Sequence, residues 1–353
     1  MTVSDALRNR RVFVTGDSGF VGGWLCHALL RHGAKVHGFS IADPAPRSVG
    51  HALIAGGAHP SRRGDIRDLA TLRASLEAAA PEIIVHLAAQ PIVRLAYHDP
   101  LGTFAANAMG TANLLEAARG IASLKAIVVF TSDKVYANPE TGRPFVESDA
   151  LGSDEPYAAS KAACEMAVAT WSSRYFVPRG IGVGCIRAGN IVGGGDWAAD
   201  RIVPDAIRAF AEGKPLVLRR PKAVRPWQHV LEPVAGILGL AQRLLKDPVS
   251  MSRAWNLGPR REDCVDVGSI AERLVRAWGP GAQWQGGGDA SIPEAGLLLL
   301  DSTAARERLG WTPQWTIDPC IERTVAWYRG VVAGGDPIAL ADADLAAHRG
   351  ASP

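Results

Sequence analysis

A short apolar strand followed at once by a glycine-rich turn and a helical pattern constrains this chain more than any other feature. The β-branched run RVFVT at residues 11–15 leads into three glycines at intervals of three and then into leucines at helical spacing. Such a turn lets the backbone approach a pyrophosphate closely, and the N–H groups at the following helix N-terminus attract its charge. The pattern therefore predicts a dinucleotide site, whose candidate residues are Gly16, Ser18, Gly19, Phe20, Val21 and Gly22.

Further apolar segments alternate with helical patterns along the first half of the chain. They lie at residues 35–39, 82–87, 126–130 and 182–186, separated by segments such as the helical pattern of residues 100–119. Apolar strands that alternate with helices are typical of a parallel sheet covered on both faces. We therefore predict an α/β fold with a Rossmann-type, doubly wound parallel sheet.

The composition changes after residue 187, which predicts a smaller, discontinuous C-terminal substrate-binding lobe. Glycine, proline, tryptophan and arginine concentrate between residues 189 and 233, where no long regular element is expected. A helix at 230–245 and a strand at 255–257 are predicted to follow. The assigned ranges are 1–188 for the dinucleotide-binding domain with a returning segment at about 226–258, 189–225 and 259–330 for the lobe, and 331–353 for a loosely held tail.

Bulk composition is that of an ordinary globular protein and excludes several classes of function. Hydrophobic residues make up 47% of the 353 residues and charged residues 21%, and the formal net charge is +3, which gives no sign of nucleic-acid binding. No run approaches eighteen apolar residues, so we expect no membrane partner and a cytoplasmic location. The five cysteines are scattered without a CxxC pair, which predicts reduced thiols and no metal site.

The residues that would hold the adenosine half of a dinucleotide follow the second and third strands. The second strand ends in HGFS (37–40) and lacks the acidic residue that usually binds the ribose of NAD, so these residues leave NAD and NADP both open. Asp65 precedes a helix, where it is a candidate for the adenine amino group or for a helix cap. The further cofactor candidates on these strand ends are Ser40, Asp65, Ile66, Leu87, Ala88, Ala89 and Thr131.

Two groups of reactive side chains predict the chemistry. Tyr157 and Lys161 are four residues apart and therefore share one face of a helix, where the ammonium favours a phenolate that can take a proton from an alcohol. TSDKVY (131–136) directly follows an apolar strand, at the edge where open α/β sheets place ligands. The catalytic candidates are Ser132, Asp133, Lys134, Tyr157 and Lys161, of which Tyr157 and Lys161 would also contact the cofactor.

These motifs resemble the extended short-chain dehydrogenase/reductase family, in its NAD-dependent epimerase/dehydratase branch. The glycine turn, HLAAQ (86–90) and the Tyr/Lys pair carry this resemblance. More narrowly, the chain resembles CDP-glucose 4,6-dehydratases in strings that span most of its length. Those strings are QPIVRLAY (90–97), TSDKVY (131–136), RAGNIVGGGDW (187–197), DRIVPD (200–205) and RPWQHVLEP (225–233).

The narrower resemblance implies an internal redox cycle with NAD as cofactor. A hydride leaves sugar C4, water leaves across C5 and C6, and the hydride returns to C6. By resemblance, Tyr157 is the base at O4 with Lys161 as its electrostatic helper, Ser132 bonds O4 and Asp133 protonates the leaving C6 hydroxyl. Lys134 stands where the related dTDP-glucose dehydratases have a glutamate base for the C5 proton. To act as that base it must be neutral for part of the cycle, which requires burial or nearby positive charge.

The same resemblance implies a nucleotide-sugar substrate, with CDP-glucose first, and a homodimer built on helices 100–119 and 157–173. Arg201, Arg219 and Arg225 would bind the phosphate oxygens of this substrate, because a guanidinium is a planar, permanently charged fork of hydrogen-bond donors. His229 is either a nucleotide contact or an ordinary strand residue. The candidate substrate contacts are Gln90, Ser132, Asn190, Arg201, Arg219, Arg225 and His229.

Some features leave alternatives open. The turn has Asp17 and Val21 where the family usually has histidine and lysine, which leaves cofactor choice and affinity open. A nucleotide-sugar 4-epimerase or a 4-keto-sugar reductase would share the fold and the Tyr/Lys pair, although the adjacent Asp133 and Lys134 argue against an epimerase. A non-catalytic dinucleotide-binding regulator is the alternative outside enzymes, but it would be expected to lack Tyr157 or Lys161.

Overall fold

The computed structural model of the protein describes residues 3–288 and 295–350. The strands are β1 Arg11–Thr15, β2 Lys35–Ser40, β3 Ser61–Arg63, β4 Ile83–His86, β5 Ala126–Phe130, β6 Gly182–Ala188, β7 Ile191–Val192, β8 Leu216–Leu218, β9 Val224–Pro226, β10 Gln228–His229, β11 Ala254–Leu257, β12 Cys264–Asp266 and β13 Trp284–Gly286. The α-helices are α1 Val3–Leu7, α2 Phe20–Arg31, α3 Val49–Ala55, α4 Leu69–Ala79, α5 Val93–His98, α6 Pro100–Phe104, α7 Gly110–Ala118, α8 Pro156–Trp171, α9 Ile202–Ala211, α10 Leu231–Lys246, α11 Val267–Trp278, α12 Ile317–Val332 and α13 Pro337–Gly350. Single π-helical turns occupy Ala105–Met109, Ser172–Phe176 and Ala305–Leu309.

Seven parallel strands form the central sheet, in the order β11-β6-β5-β4-β1-β2-β3. Every residue of β4 and β6 is buried, because helices cover both faces of the sheet. One apolar cluster joins the sheet to α2 and α10, and a second joins its other face to α4, α7 and α8. The predicted doubly wound α/β fold is confirmed.

The strand order reverses between β1 and β4, and this reversal positions the ligand site. From β1 the chain proceeds outward through β2 and β3, whereas β4 begins the opposite half of the sheet. The connections therefore leave the carboxyl ends of β1 and β4 in opposite directions and open a crevice between them. Ligands of open α/β sheets bind in such a crevice.

The region from residue 189 to 233 contains a ten-residue helix, so the prediction that it has no long regular element is wrong. Helix α9 buries Val203, Ala206, Ile207 and Phe210, a helical pattern that lies among arginines and prolines. Short strand pairs surround it: β10 with β7, β12 with β9 and β13 with β8.

After this region the chain returns to the central sheet. Helix α10 packs on β5 and β6, and β11 pairs in parallel with β6 as the edge strand. The division into two lobes at the ranges given above remains a proposal. Residues 289–294 of the proposed lobe lie outside the described residues.

The C-terminal residues do not form a loosely held tail, at least as far as residue 350. Helix α13 packs against α12 and α3, and its Ala341, Asp344 and His348 are buried. The imidazole of His27 on α2 lies 2.9 Å from the carboxylate of Asp342. The prediction of a loose tail from composition is wrong because polar residues occupy buried positions of this helix. Residues 351–353 lie outside the described part.

Within 3–288 and 295–350, no helix has both the length and the apolar character needed to cross a membrane. All five cysteines are free, and Cys26, Cys164, Cys185 and Cys320 are buried.

Candidate active site

A cavity of about 1200 Å³ lies at the carboxyl ends of the central strands and extends to the segments around α9, β8 and β9. The structure brings almost every predicted site residue to its wall. The predicted residues that line it are Gly16, Ser18, Gly19, Phe20, Val21, Gly22, Ser40, Asp65, Ile66, Leu87, Ala88, Ala89, Gln90, Thr131, Ser132, Asp133, Lys134, Tyr157, Lys161, Asn190, Arg201, Arg219 and Arg225.

The glycine turn forms one end of the cavity, and its geometry requires glycine. Gly16 has φ +78°, and a Cβ at this residue would lie 2.8 Å from the backbone nitrogen of Ala88 on the neighbouring strand end. A Cβ at Gly22 would lie 1.9 Å from the carbonyl oxygen of Gly16, so α2 can pack this close to the turn only without a side chain there.

The N-terminus of α2 faces the same end of the cavity. Gly19 is its N-cap residue, and no side chain of the described residues caps the helix there. Backbone N–H groups at a helix N-terminus bind anions such as a pyrophosphate. The residues present therefore fit a dinucleotide, with its phosphates at Gly19 to Gly22.

Tyr157 and Lys161 enter the cavity from the first turns of α8. The helix begins at Pro156, and the Glu155 carboxylate caps it by accepting a 2.8 Å hydrogen bond from the Tyr157 backbone N–H. Lys161 Nζ donates to the Phe130 carbonyl oxygen at the end of β5 (3.2 Å). Burial raises the pKa of the Tyr157 phenol to about 12 and lowers the pKa of Lys161. A phenolate at this residue would therefore need positive charge beside it.

Ser132 and Asp133 face the phenol from the turn after β5. Ser132 Oγ donates to Asp133 Oδ1 (3.1 Å) and accepts from the Lys134 backbone N–H (3.2 Å). Asp133 is 3% exposed, and its Oδ2 has no hydrogen-bond partner among the described residues. Gly189 makes room for it, since a Cβ there would lie 1.8 Å from Oδ2. Burial raises the pKa of Asp133, which favours the protonated acid.

Lys134 lines the cavity, but its charged neighbour is not the one that the sequence leads us to expect. Its Nζ lies 3.6 Å from Oε2 of Glu155, the residue whose other oxygen caps α8. A neutral lysine here requires burial or nearby positive charge, and at this contact the helix cap places a carboxylate instead of a cation. One acidic residue thus contacts both Lys134 and the backbone of Tyr157.

A buried polar network fixes the strand end behind these residues. Arg187 on β6 pairs with Glu165 on α8, and Thr131 Oγ1 donates to the same carboxylate (2.7 Å). Arg187 also donates to the Tyr136 hydroxyl (2.8 Å). These bonds tie β5, β6 and α8 together where the Tyr157 and Ser132 side chains meet.

The far end of the cavity contains the predicted phosphate-binding arginines. Arg201 Nη1 lies 2.9 Å from Asp196 Oδ2, and Arg219 Nη1 lies 3.0 Å from Asp200 Oδ1. Arg225 is 5% exposed and donates to the Val224 carbonyl oxygen (2.9 Å). The arginines are thus held in place by neighbours while they line the cavity.

Asn190 lies where β6 ends and has φ +36°, in the left-handed region that asparagine tolerates better than most residues. Asp65, at the adenosine end, forms an ion pair with Arg67 (2.6 Å). Gln90 donates to Thr103 Oγ1 (2.8 Å) through its amide nitrogen.

The structure places His229 outside the cavity, which corrects its candidacy as a substrate contact. The residue is fully buried, and its ring packs against Trp24 and Trp315. Its Nδ1 accepts a hydrogen bond from the Leu231 backbone N–H (3.3 Å). His229 is therefore an ordinary strand residue, which is the other interpretation that the sequence allowed.

Several residues of the site escaped prediction from the sequence. Arg94 and Asp200 line the cavity and lie 3.8 Å apart, although both belong to strings that carry the family resemblance. Glu155 had a usable signal, because an acidic residue before a proline is typical of a helix N-terminus. The sequence carries no signal for Gly189, because this residue makes room for Asp133, which follows a different strand. Among the described residues, no group of His, Cys, Asp and Glu is arranged to hold a metal ion.

Comparison with known proteins agrees with this geometry. The family model of the NAD dependent epimerase/dehydratase family matches residues 12–258. A CDP-glucose 4,6-dehydratase of Salmonella typhimurium is 38% identical over 98% of this chain and 98% of its own length. A UDP-glucuronate 4-epimerase 3 of Arabidopsis thaliana is 30% identical, over 94% of this chain and 80% of its own length. The sequence-based resemblance to this family and to CDP-glucose 4,6-dehydratases is confirmed.

A solved structure gives the same result for the fold and the cofactor. MoeE5 in complex with UDP-glucose and NAD superposes with a TM-score of 0.76 at 25% identity, over 91% of this chain and 99% of its own. Its complex contains NAD, and the matched family is NAD-dependent, so NAD is the cofactor of this fold.

Proposed function

Because the chain belongs to the NAD-dependent epimerase/dehydratase family, we propose that it is a nucleotide-sugar 4,6-dehydratase acting on CDP-glucose. The product is CDP-4-keto-6-deoxyglucose. The similarity to a CDP-glucose 4,6-dehydratase along nearly the whole of both chains supports this substrate. The wall of the cavity supports the reaction, because it contains the groups that both the oxidation and the elimination require.

The observation that carries the proposal is the buried Asp133 carboxyl. It shares the cavity with Tyr157, its Oδ2 has no hydrogen-bond partner among the described residues, and burial raises its pKa, which suits a proton donor. Oxidation and reduction at C4 alone need only Tyr157, Lys161 and a hydroxyl that binds O4. A second proton donor is required only if a hydroxyl leaves the sugar as water.

Held at the glycine turn by Gly16, Gly19 and Gly22, NAD would supply hydride transfer away from C4 and back to C6, so the cycle would consume no cofactor. Tyr157 takes the O4 proton, helped by the Lys161 ammonium one helical turn away. Ser132 holds O4. Lys134 takes the C5 proton, and Asp133 gives its proton to the C6 hydroxyl, which leaves as water. Lys134 returns a proton to C5 as C6 is reduced, and exchange with solvent removes the proton left on Tyr157 and restores the one lost from Asp133.

Glu155 has a part in the step at C5. A neutral Lys134 that takes this proton becomes an ammonium paired with the Glu155 carboxylate at 3.6 Å, and the same carboxylate disfavours the neutral lysine with which the step begins. The same carboxylate caps α8 and therefore fixes Tyr157 relative to Lys134.

A nucleotide-sugar 4-epimerase is the second candidate, favoured by the similarity to the plant epimerase. It would use Tyr157 and Lys161 in the same way but return the hydride to C4. The buried acid beside Ser132 would then have no proton to deliver.

A substrate panel tests the proposal. The protein is incubated with catalytic NAD and CDP-glucose, dTDP-glucose, UDP-glucose or GDP-mannose, and the products are measured by mass spectrometry. We expect loss of one water from CDP-glucose and less conversion of the others. An isomer of unchanged mass that chromatography separates from its substrate would favour the epimerase, and no product from any of the four would contradict both.

We further propose that the protein is a homodimer that functions in the cytoplasm. Helices α5, α6 and α8 and the π-helical turn after α6 pack side by side and expose Leu95, Leu101, Met109 and Met166, of which Leu101 is 83% exposed and Met166 68%. An apolar patch of this kind is typical of an interface. The five free cysteines suit a reducing compartment.

A further inference from the structure

A buried carboxylate lies inside the glycine turn, directly behind the edge that would hold the adenosine ribose. Asp17 is 0% exposed. Its Oδ1 accepts a 2.6 Å hydrogen bond from Ser40 Oγ, and its Oδ2 lies 3.2 Å from His59 Nε2. Buried carboxylates are rare unless they are paired and hydrogen-bonded, so this one is held by a specific environment.

The neighbouring strand is adapted to this carboxylate. A Cβ at Gly38 would lie 1.9 Å from Asp17 Oδ2, so β2 can pass here only without a side chain. Burial by itself would raise the pKa of Asp17, but hydrogen bonds with His59 and Ser40 lower it below its ordinary value. The carboxylate is thus ionised at neutral pH although no water reaches it.

Asp17 determines what Ser40 can offer to a ligand. Ser40 is the last residue of β2 and lines the cavity, and a serine hydroxyl has one proton to donate. That proton goes to Asp17, and one lone pair accepts the Ser18 backbone N–H (3.1 Å). The hydroxyl can therefore accept one more hydrogen bond, but it has no proton left to donate.

This arrangement stands where NAD-binding folds usually have an exposed acidic residue that accepts a hydrogen bond from the ribose 2′-hydroxyl. We propose that Asp17 selects NAD over NADP through Ser40, whose oxygen accepts from a 2′-hydroxyl and has no proton for a 2′-phosphate. Asp17 is a positioning residue, since Ser40 makes the contact.

The cations nearby do not offset this selection. Arg67 lines the cavity but forms an ion pair with Asp65 (2.6 Å). Arg63, which ends β3, has its Nε 2.8 Å from Asp43 Oδ1. A 2′-phosphate at this edge would therefore compete with carboxylates for both guanidinium groups.

The test is the ratio of the dissociation constants for NADPH and NADH, measured by fluorescence titration of protein freed of bound nucleotide. Asp17→Asn removes the charge and leaves an amide that can donate to Ser40, which frees the serine proton. We expect this ratio to fall by roughly tenfold or more, the effect of one hydrogen bond to a charged group. Asp68→Asn is the matched control, because it removes one carboxylate that caps α4 outside the cavity and should leave the ratio unchanged.

A second variant separates the action through Ser40 from a change in folding. Ser40→Ala should weaken NADH binding and leave NADPH binding nearly unchanged. In a protein that already carries Ser40→Ala, Asp17→Asn should change the ratio of the NADPH and NADH dissociation constants less than it does in the wild-type protein. If Asp17→Asn does not fold, Ser40→Ala decides the matter alone. A ratio within twofold of the wild-type value in Asp17→Asn, or unchanged NADH affinity in Ser40→Ala, would overturn the proposal.

Discussion

At the scale of single residues, the site depends on contacts between side chains from strands that are distant in sequence. Asp133 can be buried where it is because Gly189 has no side chain, and Asp17 because Gly38 has none. In both cases a carboxylate on one segment of the chain requires a glycine on another. Burial then raises the pKa of Asp133, whereas hydrogen bonds with His59 and Ser40 outweigh burial and lower the pKa of Asp17.

Replacement of Asp133 by asparagine separates the two halves of the proposed reaction. Asp133→Asn keeps the shape of the side chain but cannot protonate the leaving hydroxyl, so water loss should slow by roughly 100- to 10,000-fold. Oxidation at C4 should persist, which is measured as reduced cofactor accumulating on the enzyme at 340 nm. Asp263→Asn is the control, since burial also raises the pKa of Asp263 but the residue lies outside the cavity. Full dehydratase activity in Asp133→Asn would remove this residue from its proposed role.

The sequence predicts residues whose signal lies within one short segment. Tyr157 and Lys161 are four apart on one helix, and the glycine turn follows its strand directly, so local spacing was enough to place them at one cavity. Glu155 beside Lys134, and Asp17 behind Ser40, depend on chain segments that only the folded structure brings together. His229 is the opposite case, because a motif of the family resemblance contains a residue that packs between tryptophans.

At the scale of elements, the central strands and the helices that flank them were predictable because they are strongly apolar. Helix α13 was not, since Asp344 and His348 occupy buried positions that usually hold apolar residues. Helix α9 was hidden for a similar reason, because arginine and proline interrupt its apolar pattern. Tertiary packing, rather than local propensity, determines both helices.

The buried Asp344 makes the docking of α13 dependent on pH. Burial raises its pKa from 3.8 to about 6, so the folded chain holds this proton more tightly than the unfolded chain does. Stability is therefore lost as the pH rises from about 4 through 6, by up to about 3 kcal/mol. We expect Asp344→Asn to gain in unfolding free energy relative to wild type between pH 4 and pH 8, measured by urea denaturation. A difference that does not change with pH would contradict this.

At the scale of the whole molecule, the apolar patch on α5, α6 and α8 includes part of the helix that carries Tyr157 and Lys161, which is α8. Dimerisation through this patch would cover α8 from outside while the cavity lies on its inner side. The proposed dimer would then hold the catalytic helix between two packed surfaces.

A charged substitution in this patch tests the dimer. Leu101→Asp should convert the protein to a monomer in sedimentation velocity, because an unpaired carboxylate in an apolar interface is costly to desolvate. Val249→Asp is the control, since Val249 is 67% exposed but lies in the loop before β11, away from the patch. A dimer that persists in Leu101→Asp, or a wild-type monomer, would contradict the assignment.

The central claim is that one molecule of sugar is oxidised at C4 and reduced at C6 within the same catalytic cycle. The direct measurement is to incubate CDP-glucose deuterated at C4 together with unlabelled CDP-glucose and to locate the deuterium in the 4-keto product by NMR and mass spectrometry. We predict deuterium at C6 of the molecules that began with it, with no net change in NAD. Deuterium retained at C4, or lost to solvent or to the unlabelled molecules, would contradict the account.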